Sequence, residues 1–407
     1  MFACIVNALM FLLLLFNYYR HHKRIDFVFI ILALYAMVAV AGIGYYSEIY
    51  TMPRPVTLLP FIYLFSASYC MFFPLIKRGH KISVATIRLP SKLEALVWGC
   101  VGCCLISLHS IWTDVVSNII SGDWQSVKAD AYSGNGESLS PVVSYSLAFG
   151  QYLRYLIYPY CFYCFTRKDK NFLIAVLILL LSVTTSLFQY LLTAYRGGIF
   201  SLLIVLLISF LMFYPDITRK RRKLLFLMGS IVGLILIVIS LSITNSRFED
   251  STNTTPLESL FSYFGQSMVR FNGGIANSAT SYMGGKYFFM SALNLSKDDF
   301  WIDSKYGTIT NDGQDLDTLV GCFYLDFNPI LAFLIFLAVS LILYRFLKKK
   351  SSSWATLYIL MFYLDLLVVG VFHGPSYLSQ IVFNVLVIYF VILFIERYGY
   401  KNSGMLS

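Results

Sequence analysis

Long apolar runs, separated by short polar stretches, fill most of this 407-residue chain. Eleven such runs lie at 2–19, 26–45, 57–76, 93–113, 143–165, 171–194, 197–214, 224–244, 327–344, 354–373 and 377–395. Each is close to the ~20 apolar residues that carry a helix across a bilayer. The pattern predicts an all-α, polytopic integral membrane protein of about 11 transmembrane helices, with 1–407 forming a single membrane domain. Composition adds weight: 58% of residues are hydrophobic and mean hydropathy is +0.71. A soluble core does not absorb that much apolar surface; lipid does.

Charge then orients the runs. Arg20, Lys23 and Arg24 follow the first; Lys77, Arg78, Lys81, Arg88 and Lys92 the third; Arg167, Lys168 and Lys170 the fifth. Arg219, Lys220, Arg221, Arg222 and Lys223 follow the seventh; Arg345, Lys348, Lys349 and Lys350 the ninth; Arg397 and Lys401 the eleventh. These are 22 of the 31 basic residues, and all follow odd-numbered runs. By the positive-inside rule these connections are cytoplasmic, which places the N-terminus outside and the C-terminus inside. The net charge of +10 is thus mostly a topology signal, and no nucleic-acid partner is expected. The first run has no basic stretch before it and no small-residue cleavage site after it, so it reads as a retained anchor.

Two segments predicted to lie outside break the pattern. One is 114–141; the other, 245–317, is the longest polar stretch and carries five basic and nine acidic residues. Within it Leu257, Leu260, Phe261, Phe264 and Met268 recur at helical spacing, while Tyr263, Gln266 and Arg270 fall on the opposite face. This predicts an amphipathic helix near 256–271, starting at Thr255-Pro256 and stopping at Gly273-Gly274. It lies either at the membrane boundary, greasy side down, or packed on the bundle. The stretch Asp312-Gly313-Gln314-Asp315-Leu316-Asp317 does not fit EF-hand spacing, so no metal is expected there. Seven of the eight cysteines, among them Cys161 and Cys164, fall inside apolar runs and read as packing residues.

Charges at membrane depth are costly and are candidates for function. Arg196 sits in Tyr195-Arg196-Gly197-Gly198 at the outer end of the sixth run, where glycines permit a tight turn and close ligand approach. Its guanidinium either holds a phosphate through paired hydrogen bonds or snorkels to lipid headgroups. Arg154 lies about three turns into the fifth run and calls for an aqueous cavity or an acidic partner. Asp326 opens the ninth run, either as a reactive carboxylate or as a helix cap. Asp365 lies in the tenth run. His373, in a short outer turn, is a proton acceptor near neutral pH or an incidental histidine.

In order along the chain, these pieces resemble the O-antigen (oligosaccharide repeat-unit, Wzy-type) polymerase family. The resemblance rests on the 11-run layout, the Tyr195-Arg196-Gly197-Gly198 turn, the large loop with Met268-Val269-Arg270-Phe271, and Tyr324-Leu325-Asp326-Phe327. The last is similar to the family's aspartate–phenylalanine–glycine stretch, with Asn328 in place of the glycine. The resemblance implies an inverting glycosyltransferase of GT-C-like helical architecture in the bacterial inner membrane. Such an enzyme moves a growing glycan from undecaprenyl diphosphate onto the next lipid-linked repeat unit at the periplasmic face. It needs no nucleotide sugar, metal or other cofactor, and its partners are membrane lipid and a chain-length regulator protein. On this reading Arg196, Arg270 and Arg154 contact the diphosphate. Tyr195, Tyr263 and Gln266 contact other parts of the substrate, and His373 or Asp326 serves as the base. Other readings are an O-antigen ligase acting on the lipid A core, a lipid-linked oligosaccharide flippase or exporter, and a membrane acyltransferase with His373 catalytic.

Overall fold

The computed structural model describes residues 1–50, 55–79, 87, 89–127, 141–248, 256–290, 293, 301–304, 307–310, 318–348, 353–374 and 378–401. Each of the eleven apolar runs forms a helix: α1 (Phe2–His22), α2 (Phe27–Glu48), α3 (Leu58–Arg78), α4 (Ser91–Ser121), α5 (Pro141–Thr166), α6 (Phe172–Leu192), α7 (Arg196–Phe213) and α8 (Arg219–Phe248), then, beyond the large loop, α11 (Pro329–Lys348), α12 (Trp354–Gly370) and α13 (Leu378–Lys401). Two more helices flank that loop, α9 (Pro256–Arg270) and α10 (Leu319–Phe327). Among the described residues, nine helices are long and apolar enough to cross a membrane. The chain is a multi-pass, all-α membrane protein. Helices α5 and α12 are not among the nine: α12 has only 17 residues, and α5 carries Gln151, Arg154 and six tyrosines. One short antiparallel hairpin, β1 (Trp301–Ser304) and β2 (Gly307–Thr310), pairs Trp301 with Thr310.

Local chemistry fixes the helix ends. The Asp26 carboxylate caps α2 by accepting the N–H groups of Val28 and Phe29 at 3.1 and 3.0 Å, and the Tyr18 hydroxyl and Arg24 hold it from outside. Asn171 caps α6 in the same way. Asn328 has a φ of 70°, in the left-handed region that favours glycine. The asparagine adds a cap for α11, since its Oδ1 accepts the N–H groups of Ile330 and Leu331 at 3.0 Å each.

The chain divides into two compact units. The first holds 1–82, 254–350 and 364–384. Here α9 packs on α2 so closely that a Cβ on Gly265 would lie 2.3 Å from the carbonyl oxygen of Ala41, a backbone approach that only small residues allow. Its buried face runs through Gly265, Met268 and Val269, while Phe261 and Phe264 are half-buried. Of the two placements the sequence left open, packing on the bundle holds at Met268: the Asn7 amide of α1 donates to its sulfur at 3.4 Å. The helix also does not stop at Gly273-Gly274, as the sequence suggested, but widens into a π-turn over Phe271–Ala276. The physical reason is lateral bonding. Asn272 accepts the Thr57 N–H at 2.9 Å and donates to the Thr57 carbonyl at 2.7 Å. Gly273 leaves room for the Tyr50 hydroxyl.

The second unit holds 83–253, 351–363 and 385–407. Helices α4, α5 and α6 pack on one another, and α7 contacts α5, α6 and α8. Several basic residues serve as caps. Arg221 donates to the carbonyls of Phe165 and Arg167 at 3.0 and 2.7 Å, satisfying the C-terminal end of α5. Lys170 pairs with Glu94. Buried Glu396 of α13 accepts the N–H groups of Trp354 and Ala355, the opening donors of α12, at 2.7 and 3.3 Å. Cys161 and Cys164 are buried free thiols packed in the interior of α5.

Candidate functional site

In the second unit, the turn between α6 and α7 forms around Tyr190. The Tyr195 N–H donates to the Tyr190 carbonyl at 2.8 Å, and the two rings pack edge to face with centroids 5.8 Å apart. The left-handed residue of this turn is Ala194, at φ 47°, not a glycine. Gly198 has a different task from the one its sequence suggested: a Cβ there would lie 2.4 Å from the Tyr190 ring and 2.6 Å from that of Tyr195. Arg196 is the first residue of α7, whose preceding residue supplies no side-chain cap. The backbone therefore places Arg196 at the positive end of a helix dipole, where an anion is favoured. Its side chain lies outside what the structure describes.

Arg154, half-buried on α5, reaches the same tyrosine. Its Nη1 donates to the Tyr190 hydroxyl and its Nη2 to that of Tyr155 at 3.1 Å, with the guanidinium carbon 5.0 Å from the Tyr155 ring centre. The two phenol hydroxyls hold the guanidinium in one orientation. Three residues before Arg154 on α5 and one before Tyr190 on α6, the Gln151 amide donates to Gln189 at 3.2 Å, and Gln189 donates to the Leu147 carbonyl at 3.3 Å. Thus Arg154, Tyr195 and the backbone of Arg196 are brought together through Tyr190.

In the first unit, Asp326 is buried on α10. Its two carboxylate oxygens accept the N–H groups of Tyr287 and Phe288 at 3.1 and 2.8 Å, and its carbonyl accepts that of Gly285 at 3.1 Å. Burial raises the carboxyl above its ordinary value, with the N–H bonds opposing. This geometry is that of an anchor. The carboxylate pins the 283–289 segment to α10 and caps no helix. The carbonyl of Phe288 in turn accepts the Ser379 N–H of α13 at 3.3 Å.

His373 lies just beyond α12, with its neighbours wedged on both sides. Phe372 packs on Tyr263 and Phe264 of α9, with ring centroids 5.7 and 5.8 Å apart. Gly374 meets α10 so closely that a Cβ would lie 2.6 Å from the Cys322 sulfur. Gly374, Cys322, Tyr287 and Asp326 line one cavity of about 10 Å³, at the lower limit for a single water. Burial pushes the His373 imidazole down to about 4, so it is neutral at pH 7 and able to accept a proton. Tyr263, Gln266 and Arg270 are all half-buried along one side of α9, while Gly265, Met268 and Val269 on the other side are buried. The first unit thus brings the Tyr263 end of that polar face to the His373 turn. Asp365 is buried within α12. The stretch 312–317 and Pro375 lie outside the described residues.

No protein-family model, no curated protein and no solved structure matches this chain. The residues that sequence reasoning missed are Tyr190, Tyr155, Gln151 and Gln189. A tyrosine in an apolar helix carries no signal of its own, and the only clue was the separation of 36 residues that a helical hairpin folds back on itself.

Proposed function

We propose that the chain is an oligosaccharide repeat-unit polymerase acting on undecaprenyl diphosphate-linked glycans at the outer face of a bacterial inner membrane. The observation that carries this reading is the cationic corner at the start of α7. A guanidinium held by two tyrosine hydroxyls is tied, through Tyr190, to a helix N-terminus that itself begins with arginine. Such a corner suits a diphosphate in a partly dry environment.

In the proposed reaction, a hydroxyl of one lipid-linked repeat unit attacks the anomeric carbon of the growing glycan. A new glycosidic carbon–oxygen bond forms, the carbon–oxygen bond to the diphosphate breaks with inversion, and undecaprenyl diphosphate leaves. Arg154 and Arg196 stabilise the charge that develops on the leaving diphosphate, a role that Arg270 shares on the resemblance alone. His373 takes the hydroxyl proton, and its neutral imidazole at pH 7 is the required form. Asp326 positions the loop that packs beside the His373 turn. Tyr195, Tyr263 and Gln266 contact other parts of the donor or acceptor.

A deletion strain tests this, with its surface polysaccharide separated by size. Loss of the polymerase leaves single repeat units on the surface lipid, and Arg154→Ala or Arg270→Ala fails to restore the ladder. Absence of even single units points to a ligase, and an unchanged ladder overturns the proposal.

A further inference from the structure

The structure assigns Tyr190 as the positioning residue that sets the direction of the Arg154 guanidinium and ties it to the turn that opens α7. This rests on the reading of Arg154 as a diphosphate contact. Three features of Tyr190 act together. Its hydroxyl accepts from Arg154 Nη1, its carbonyl accepts the Tyr195 N–H at 2.8 Å, and its ring occupies the space that the missing Cβ of Gly198 leaves open. The residue is buried at the end of α6, so it is fixed by packing before any ligand arrives. A long arginine side chain loses much rotamer freedom when it must meet a phosphate in one orientation. A pre-set hydrogen bond to a buried phenol lowers that cost in the reaction step, because the guanidinium is already held in one orientation when the substrate arrives.

The two parts of the side chain are separable. Tyr190→Phe keeps the ring against Gly198 and Tyr195 and removes only the hydroxyl that accepts from Arg154 Nη1. We expect unchanged thermal stability of the purified protein, a kcat for repeat-unit polymerisation lower by roughly 10-fold, and a KM within about threefold, by the logic of interactions realised chiefly in the transition state. In an Arg154→Gln background, Tyr190→Phe should add less than about twofold, since a residue acting through Arg154 has nothing left to orient. The experiment is that four-protein cycle: parent, each single variant and the double, assayed with a synthetic undecaprenyl diphosphate-linked repeat unit in detergent. If Arg154→Gln is harmful and Tyr190→Phe is silent, or if the two losses multiply, the positioning role is overturned while the diphosphate reading stands. If Arg154→Gln is itself silent, the diphosphate reading of Arg154 fails, and the positioning role with it. A drop in thermal stability of Tyr190→Phe that accounts for the whole loss of rate also overturns the assignment, in favour of a packing role.

Discussion

Asp326 and Arg154 are similar in the sequence: each is a lone charge set into or beside an apolar run. The fold uses them in opposite ways. Asp326 is buried and grips main-chain N–H groups at Tyr287 and Phe288, so its charge is spent on holding a loop. Arg154 is half-buried and bonded to two phenol hydroxyls on side chains of neighbouring positions in the helix bundle, not to main-chain groups. Whether a charge at membrane depth is structural or reactive therefore depends on what it bonds to, more than on its depth.

This contrast makes the two residues fail differently. The largest effect is expected at Arg154. Arg154→Gln should lower polymerisation by on the order of 10²–10³-fold, by analogy with deleted oxyanion donors, with the folded fraction unchanged by size-exclusion chromatography. A comparable loss of folded protein would erase the distinction. Asp326→Asn should do the reverse. The N–H groups of Tyr287 and Phe288 lose a charged acceptor, at a cost of about 1.5–3 kcal/mol in stability, read as an earlier thermal midpoint. The activity per folded molecule should stay near that of the parent.

A smaller effect sharpens the anchor side. Asn328 combines a left-handed backbone with a helix cap. Asn328→Gly should cost only a few tenths of a kcal/mol and Asn328→Ala about 1 kcal/mol or more, measured by thermal melts in detergent. Equal cost would remove the conformational argument for this position.

The smallest effect is in pH. Burial depresses the His373 imidazole to about 4, so its proton-accepting form persists as pH falls from 7 to 5 and is lost only through the region near 4. The kcat/KM profile of the free enzyme should be flat across pH 5–7 on its acid side. A fall centred near the ordinary histidine value of ~6.5 would show that the base is either unburied or another group.

The eleven helices were legible because run length alone dictates them; lipid leaves a spanning chain no alternative that satisfies its backbone. The helix at 256–270 was legible from its spacing, and its buried face only in part. Of the predicted stripe, Met268 is buried and Phe261 packs against Gly44 of α2, but the closest approach to α2 runs through Gly265, where the feature that matters is absence of a side chain. The continuation past Gly273 was hidden for a similar reason: it depends on Asn272 finding Thr57, 215 residues away. Arg196, Arg154 and His373 stood out as charges and a titratable ring at apolar boundaries. The tyrosine that links the first two did not, because partners across a hairpin leave no local trace.

The central claim is that this protein joins lipid-linked glycans by expelling undecaprenyl diphosphate. The most direct test is the purified chain in liposomes, supplied only with undecaprenyl diphosphate-linked repeat units, with products resolved by mass. The account predicts a ladder spaced by one repeat unit, with one undecaprenyl diphosphate released per step and the ladder lost in Arg154→Gln. A chain that moves the lipid-linked unit across the bilayer without lengthening it, or that lengthens it only when a nucleotide sugar is added, would contradict the account.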